Sequence, residues 1–130
     1  VGNHTFNHLN AWKTSREVYL ENVARCQELI ERFSDKKEAM PLFRPPYGKI
    51  SPSLIGKLCP TYQIVMWNVL SGDYRADLSP QNCLKYTMKH TQKGAIVVFH
   101  DSAKSFKNLS FVLPRFLEYF SQQGYRFDKL

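Results

Sequence analysis

The 130-residue sequence has no long apolar run, no cysteine pair at ligand spacing, no internal repeat and no low-complexity tract. Without about 20 consecutive apolar residues, no segment is expected to cross a bilayer as a helix. Its three cysteines, Cys26, Cys59 and Cys83, are far apart and odd in number, which argues against a disulfide framework or a cysteine zinc site. Two of them fall on apolar helical stripes, so buried free thiols are expected, with a lean towards a reducing compartment. Basic residues outnumber acidic ones, 18 to 11, for a net charge of +7. No basic block is longer than Lys36-Lys37, and there is no aromatic–basic stripe. The charge therefore reads as a solvated basic surface, and a nucleic-acid partner is not expected. The chain opens on Val1-Gly2-Asn3-His4, with neither an initiator Met nor a basic-then-apolar leader, so a boundary inside a longer protein is expected there. One domain over residues 1–130 fits this length.

Short apolar runs alternate with amphipathic stretches. Thr14 and Glu17 have capping-box spacing, and Tyr19, Val23, Cys26, Ile30 and Phe33 then recur at helical intervals as one buried face, with Ser34-Asp35 ending the helix. Leu42-Phe43-Arg44 reads as a short extended run stiffened by Pro45-Pro46. Ser51-Pro52 and Ser79-Pro80 each place an N-cap before a proline at the first helical position. Tyr62–Trp67 and Ala95–Phe99 read as buried strands, the second the stronger. A helix is expected from about Leu109 to Gln123, kinked by Pro114 or starting at it. Tyr125–Phe127, after Gly124, reads as a last short strand. This alternation predicts an α/β protein with parallel strands, in which chemistry gathers at the C-terminal ends of the strands. Arg44-Pro45-Pro46-Tyr47, Asp73 and His100-Asp101 each follow an expected strand.

The candidate groups have bland and functional readings side by side. His4 and His8 are four residues apart, and on one helical turn they would face the same side and share a metal ion. Otherwise they are a solvated pair. His100 is a suitable group for proton transfer, or a hydrogen-bonded loop residue. Asp73, in a Gly-Asp turn, is a turn former or a carboxylate that orients a histidine. Pro45-Pro46 lacks N–H groups, so the Tyr47 N–H is a lone donor suited to an oxyanion, and Arg44 is a fork for a carboxylate. The bland alternative there is a structural proline turn.

Four runs in order, HTFNH (His4–His8), RPPY (Arg44–Tyr47), WNVLSGDY (Trp67–Tyr74) and VFHD (Val98–Asp101), resemble the polysaccharide deacetylase family, the NodB-homology domain of carbohydrate esterase family 4. The resemblance spans essentially the whole chain. It implies the C-terminal part of a distorted (β/α) barrel. It also implies a divalent metal, zinc above all, held by His4 and His8. Arg44 would pair with the catalytic base, and the Tyr47 N–H would line an oxyanion hole. Asp73 would tune His100, and His100 would be the general acid. Pro46, Tyr74 and Val98 would line the substrate pocket.

The family's first motif carries two adjacent aspartates, the base and the third metal ligand. No such pair occurs here, so both are expected upstream, and these residues alone are expected to be inactive. Asn68, Tyr74 and Val98 stand where many members have Asp, Trp and Leu, changes that bear on substrate fit. The implied activity is metal-dependent removal of acetyl groups from a glycan, chiefly N-acetyl from N-acetylglucosamine-type sugars. The alternative is a glycan-binding relative that has lost the chemistry. An uncovered sheet edge, left by absent early strands, is expected to promote association.

Overall fold

Two serine–proline steps organise the chain. A computed structural model describes residues 1–34 and 38–130, so Asp35 and Lys36-Lys37 lie outside the described residues. The protein is α/β and divides into two compact units, Val1–Met66 and Trp67–Leu130.

The first unit contains helix α1 (Arg16–Phe33), strand β1 (Leu42–Phe43), a 3-10 turn (Pro46–Gly48), helix α2 (Pro52–Leu58) and strand β2 (Gln63–Ile64). β1 and β2 pair in parallel, with Leu42 opposite Gln63 and Phe43 opposite Ile64. α2 is the crossover between them, as parallel pairing demands. Its Ser51 hydroxyl accepts the Leu54 N–H, with Pro52 in the first turn; losing such a cap costs about 1 kcal/mol. Asn3 adds a parallel bridge to Phe43, its N–H donating to Leu42 O at 2.7 Å and its O accepting from Arg44 N at 2.9 Å. Gly2 permits this close approach, since a Cβ there would sit 3.2 Å from the Leu42 Cβ and 3.3 Å from its O. Tyr19, Val23, Phe43, Leu54, Leu58, Tyr62 and Ala11 form the core.

The second unit contains β3 (Val69–Leu70), α3 (Pro80–His90), β4 (Val97–Val98) and α4 (Phe106–Gln122). β3 and β4 are parallel, Val69 opposite Val97 and Leu70 opposite Val98, and α3 is their crossover. The Ser79 hydroxyl caps α3 at Asn82 N. α4 packs against α3 and buries Asn108, Val112, Phe116 and Phe120, a stripe at four-residue intervals.

Several local expectations shift. The cap of α1 is Ser15, which accepts the Val18 N–H. Thr14 instead donates its hydroxyl to Asn10 O at 2.9 Å, so the helix starts one residue later than the capping-box spacing indicates. The buried face of α1 fades along its length. Tyr19 and Val23 are buried, Cys26 and Ile30 are half-buried, and Phe33 is 80% exposed. The two expected strands contract to two-residue ladders. β3 emerges inside WNVLSGDY, so Asp73 follows β3 rather than the Tyr62–Trp67 run. Asn68 closes that ladder, its side-chain oxygen accepting the Ile96 N–H at 2.8 Å. Pro114 lies inside α4, whose start precedes Leu109 by three residues. Tyr125–Phe127 forms no strand. Gly124, at φ 79°, ends α4, the Tyr125 N–H returns to Phe120 O at 3.0 Å, and Tyr125 and Phe127 pack on Phe120 and Phe116. Aromatic contact with the helix takes the place of a ladder. Cys83 is buried, Cys26 half-buried and Cys59 exposed, all as free thiols, so burial holds for one of the two stripe cysteines.

Candidate functional site

The His4–His8 segment is a loop, not a helical turn. Thr5 and His8 have φ of 62° and 54°, the left-handed region. Its N–H groups go elsewhere than to a helical ladder. Phe6 N donates to Asn22 O at 3.2 Å, Asn7 N to the Asn22 side-chain oxygen at 2.9 Å, Thr5 N to the Asn3 side-chain oxygen at 3.0 Å, and Leu9 N to the Thr5 hydroxyl at 3.1 Å. Asn3 in turn donates from Nδ2 to Val23 O at 2.9 Å. Two buried asparagines thus fasten the loop to α1. Asn22 carries a sequence signal, a polar residue on the stripe of Tyr19, Val23 and Cys26; Asn3 carries none beyond its place before the HTFNH run.

This loop still brings the two imidazoles together, with ring centroids 4.9 Å apart and planes at 68°. Two imidazoles on one tetrahedral zinc, each bonded at about 2.0–2.1 Å, set their centroids about 5 Å apart, so the spacing fits a shared ion. His4 Nδ1 lies 2.6 Å from Arg44 O. A carbonyl only accepts, so Nδ1 carries the proton and the ring's lone pair is on Nε2. Such a backbone partner on the second nitrogen is usual for a metal-ligating histidine. Among the described residues, no three His, Cys, Asp or Glu side chains gather around one point.

Tyr47 meets the same pair, its ring 4.7 Å from His8. Pro45 and Pro46 are buried. The Gly48 and Lys49 N–H groups turn back to Pro45 O and Pro46 O, both at 3.1 Å, and the Tyr47 N–H takes no part in that turn. Tyr47 itself has φ 59° and ψ 7°, a conformation costing a residue with a Cβ roughly 1–2 kcal/mol. Strain of this kind persists where the surroundings enforce it, and it clusters at functional sites. Arg44 donates from Nε to Val65 O at 3.2 Å and from Nη2 to Met66 O at 3.3 Å. The guanidinium is thereby held at the exit of β2, and burial lowers its pKa.

In the second unit, Asp73 and His100 are joined twice. His100 Nδ1 donates to Asp73 Oδ1 at 2.7 Å, and the His100 backbone N–H to Oδ2 at 2.7 Å. The Asp73 side chain is fully buried and the His100 side chain 37% exposed. The carboxylate fixes the ring's orientation and tautomer, leaving Nε2 as its working nitrogen. Tyr74 lies edge-on to His100 at 4.7 Å, with Lys104 Nζ 5.9 Å above the Tyr74 ring. Val98, half-buried on β4, accepts the Ser71 N–H at 3.1 Å. Beneath the pair, the Cys83 thiol donates to Ser71 O at 3.2 Å; burial, with Asp73 nearby, raises its pKa and keeps it protonated. Asn108 is a further residue here: its Nδ2 donates to Asp73 O, Arg75 O and Leu78 O at 3.1, 3.2 and 3.1 Å. Its signal in the sequence is a lone amide heading the apolar stripe of α4.

Comparison with known proteins gives a consistent picture. Residues 1–58 match the family model for polysaccharide deacetylase. A Bacillus cereus peptidoglycan-N-acetylglucosamine deacetylase is 31% identical over 130 residues, covering 98% of this chain and 59% of the relative. The chain thus spans less than two thirds of that relative's length. A crystal structure of a peptidoglycan N-acetylglucosamine deacetylase superposes with a TM-score of 0.88 at 21% identity, over 99% of this chain and 60% of the other. A Bacillus anthracis protein described as a CE4 family pseudoenzyme superposes at 0.75 with 24% identity, over 97% of this chain and 43% of the other. The likeness to these structures establishes a shared fold, this chain corresponding to part of the NodB-type (β/α) barrel. The motifs, the match of residues 1–58 to the family model and the curated relative all point to one likeness, and the chain resembles the polysaccharide deacetylases, the NodB-type carbohydrate esterases.

Proposed function

We propose that this chain supplies the metal-binding histidines, the oxyanion donor and the general acid of a metal-dependent glycan deacetylase, acting on the N-acetyl groups of N-acetylglucosamine-type sugars. The observation that carries the reading is the double hydrogen bond from His100 to Asp73. A groove that only binds sugar has no need of a partly exposed histidine held by a buried carboxylate; a proton donor does.

His4 and His8 would hold the ion, zinc best matching two imidazoles. When bound, that ion supplies Lewis-acid polarisation of the acetyl carbonyl and activation of water. The chain's own groups do the rest. The His4 ring is kept in the ligating tautomer by the Arg44 carbonyl. The Tyr47 N–H donates to the oxygen that becomes negative as the carbonyl carbon turns tetrahedral. His100, oriented by Asp73 through Nδ1–H and acting as the imidazolium with a second proton on Nε2, would give that Nε2 proton to the departing amine and be left as the neutral ring, so that the C–N bond breaks to leave acetate and a free amino sugar. Arg44 would orient the catalytic base. Base and third ligand are the aspartate pair of the family's first motif, which this sequence does not contain. Tyr74 and Val98, in the same unit as His100, would meet the acetyl group, and Pro46 would present the Tyr47 N–H to it.

The test is acetate release from an N-acetylglucosamine oligomer and from peptidoglycan by the native-length protein, with and without added Zn²⁺, beside His100→Ala. Metal-dependent release that the variant loses supports the deacetylase. A second reading, a non-catalytic glycan binder, draws on the fold shared with the pseudoenzyme. Glycan binding with no acetate release under any metal would establish it.

A further inference from the structure

The segment from Asp73 to Leu78 belongs to no helix or strand, yet it carries the carboxylate that must meet two atoms of His100 at once. Something has to fix its backbone. Local bonds shape it: Asp73 N donates to the Ser71 hydroxyl at 3.3 Å, Arg75 N to Gly72 O at 2.9 Å and Leu78 N to Arg75 O at 3.3 Å, turns that fold the segment on itself without tying it to a helix or strand. The Arg75–Asp77 ion pair is solvent-exposed, and such pairs hold little.

The stronger restraint comes from 30 to 35 residues away. Three carbonyls of the segment, those of Asp73, Arg75 and Leu78, converge on the Asn108 amide nitrogen at 3.1–3.2 Å. Two N–H protons serve three acceptors, so at least one of these bonds is shared. Asn108 lies in the first turn of α4, itself buried along the Val112, Phe116 and Phe120 stripe, so the loop is tied to a rigid element. The amide's orientation is fixed by chemistry, because reversing it would set its oxygen against three carbonyl oxygens. Its Oδ1 is buried and has no partner among the described residues. An unsatisfied buried acceptor is costly. Its retention shows which end of the amide the loop requires.

We propose that Asn108 is a positioning residue for the acid–base pair, clamping residues 73–78 so that Asp73 presents both carboxylate oxygens to His100 and Tyr74 stays at the edge of its ring. The catalytic consequence rests on the reading of His100 as general acid; the clamp itself rests only on the hydrogen bonds.

The experiment uses the native-length protein with Asn108→Ala, Asn108→Asp and, as a control on the same buried stripe, Val112→Ala. Two quantities are read: the solvent-protected Nδ1–H resonance of His100 by NMR, and kcat and KM for acetate release. The clamp predicts that both Asn108 variants lose the resonance. It also predicts a kcat about 10- to 100-fold lower, as for a misplaced catalytic group, with KM changed by less than about threefold. Val112→Ala, though destabilised, keeps the resonance and kcat. If Asn108→Ala does not fold, Asn108→Ser, which keeps one donor, takes its place with intermediate values expected. A folded Asn108 variant with the resonance and kcat of the parent overturns the proposal, as does Val112→Ala losing both equally. Should His100→Ala leave acetate release intact, the general-acid reading fails, while the Nδ1–H resonance still reports on the clamp.

Discussion

Asp73 holds His100 by two bonds of equal length, 2.7 Å from Oδ2 to the backbone nitrogen and 2.7 Å from Oδ1 to the ring nitrogen. One oxygen sets where the residue's main chain sits; the other sets how its ring turns. Replacing Asp73 by Asn keeps the shape but turns one acceptor into a donor facing an N–H. We expect kcat for acetate release to fall by about 10² or more and stability to drop by about 1–3 kcal/mol, the cost of an unmatched buried polar group. Steady-state kinetics and urea unfolding measure the two effects; an active, equally stable Asp73→Asn protein would remove the carboxylate from the acid's support.

His4 and His8 form the proposed metal pair. Removing either imidazole should weaken Zn²⁺ binding by more than the roughly 10- to 100-fold that loss of an outer hydrogen bond brings. Calorimetric titration of His4→Ala and His8→Ala in the native-length protein tests this. Chelation should abolish acetate release and added Zn²⁺ should restore it. Unaltered zinc affinity in both variants would place the ion elsewhere.

Tyr47 reverses a familiar ranking. Glycine is ordinarily less stable than alanine at an ordered position by roughly 0.5–1 kcal/mol. At φ 59°, the Cβ penalty of roughly 1–2 kcal/mol falls on alanine alone. Tyr47→Gly should therefore be at least as stable as Tyr47→Ala in urea denaturation. It also keeps the N–H that the oxyanion role needs, so acetate release should survive in it. A clearly more stable alanine variant would contradict the left-handed backbone.

Tyr19 makes alkaline pH destabilising. Its hydroxyl is buried without a partner among the described residues, and desolvation pushes its pKa up to about 12. The folded pKa lies above the unfolded value of about 10, so the folded state holds the proton more tightly. The associated stability is fully present below about pH 10 and is lost as pH rises from there through about 12. Tyr19→Phe removes the titration and the unsatisfied hydroxyl together. It should raise the melting temperature at neutral pH and flatten its fall between pH 10 and 12. A variant with the same alkaline profile as the parent would assign that loss to other groups, Tyr62 first, whose pKa burial also raises.

The order of motifs, the α/β alternation and the two serine–proline caps are all legible in the sequence. Each is written in neighbouring residues: Ser51-Pro52 and Ser79-Pro80 set their helices within one turn, and histidine, aspartate and Pro-Pro-Tyr chemistry is intrinsic to those side chains. Local pattern failed where pairing is long-range or very short. A ladder of two residues such as Val69–Leu70 is below any periodicity, and Tyr125–Phe127 has strand composition but finds a helix to pack on instead of a partner strand. The spacing of His4 and His8 predicts that their rings meet, and they do, but by a loop and not a helical turn, since Asn3, Thr5 and Asn22 take up the segment's N–H groups. What only the tertiary structure decided is the polar wiring beneath the site: Asn3 and Asn22 under the histidine loop, Asn108 under Asp73. These amides act across 15 to 35 residues, and an asparagine looks the same in a sequence whether it meets water or three buried carbonyls.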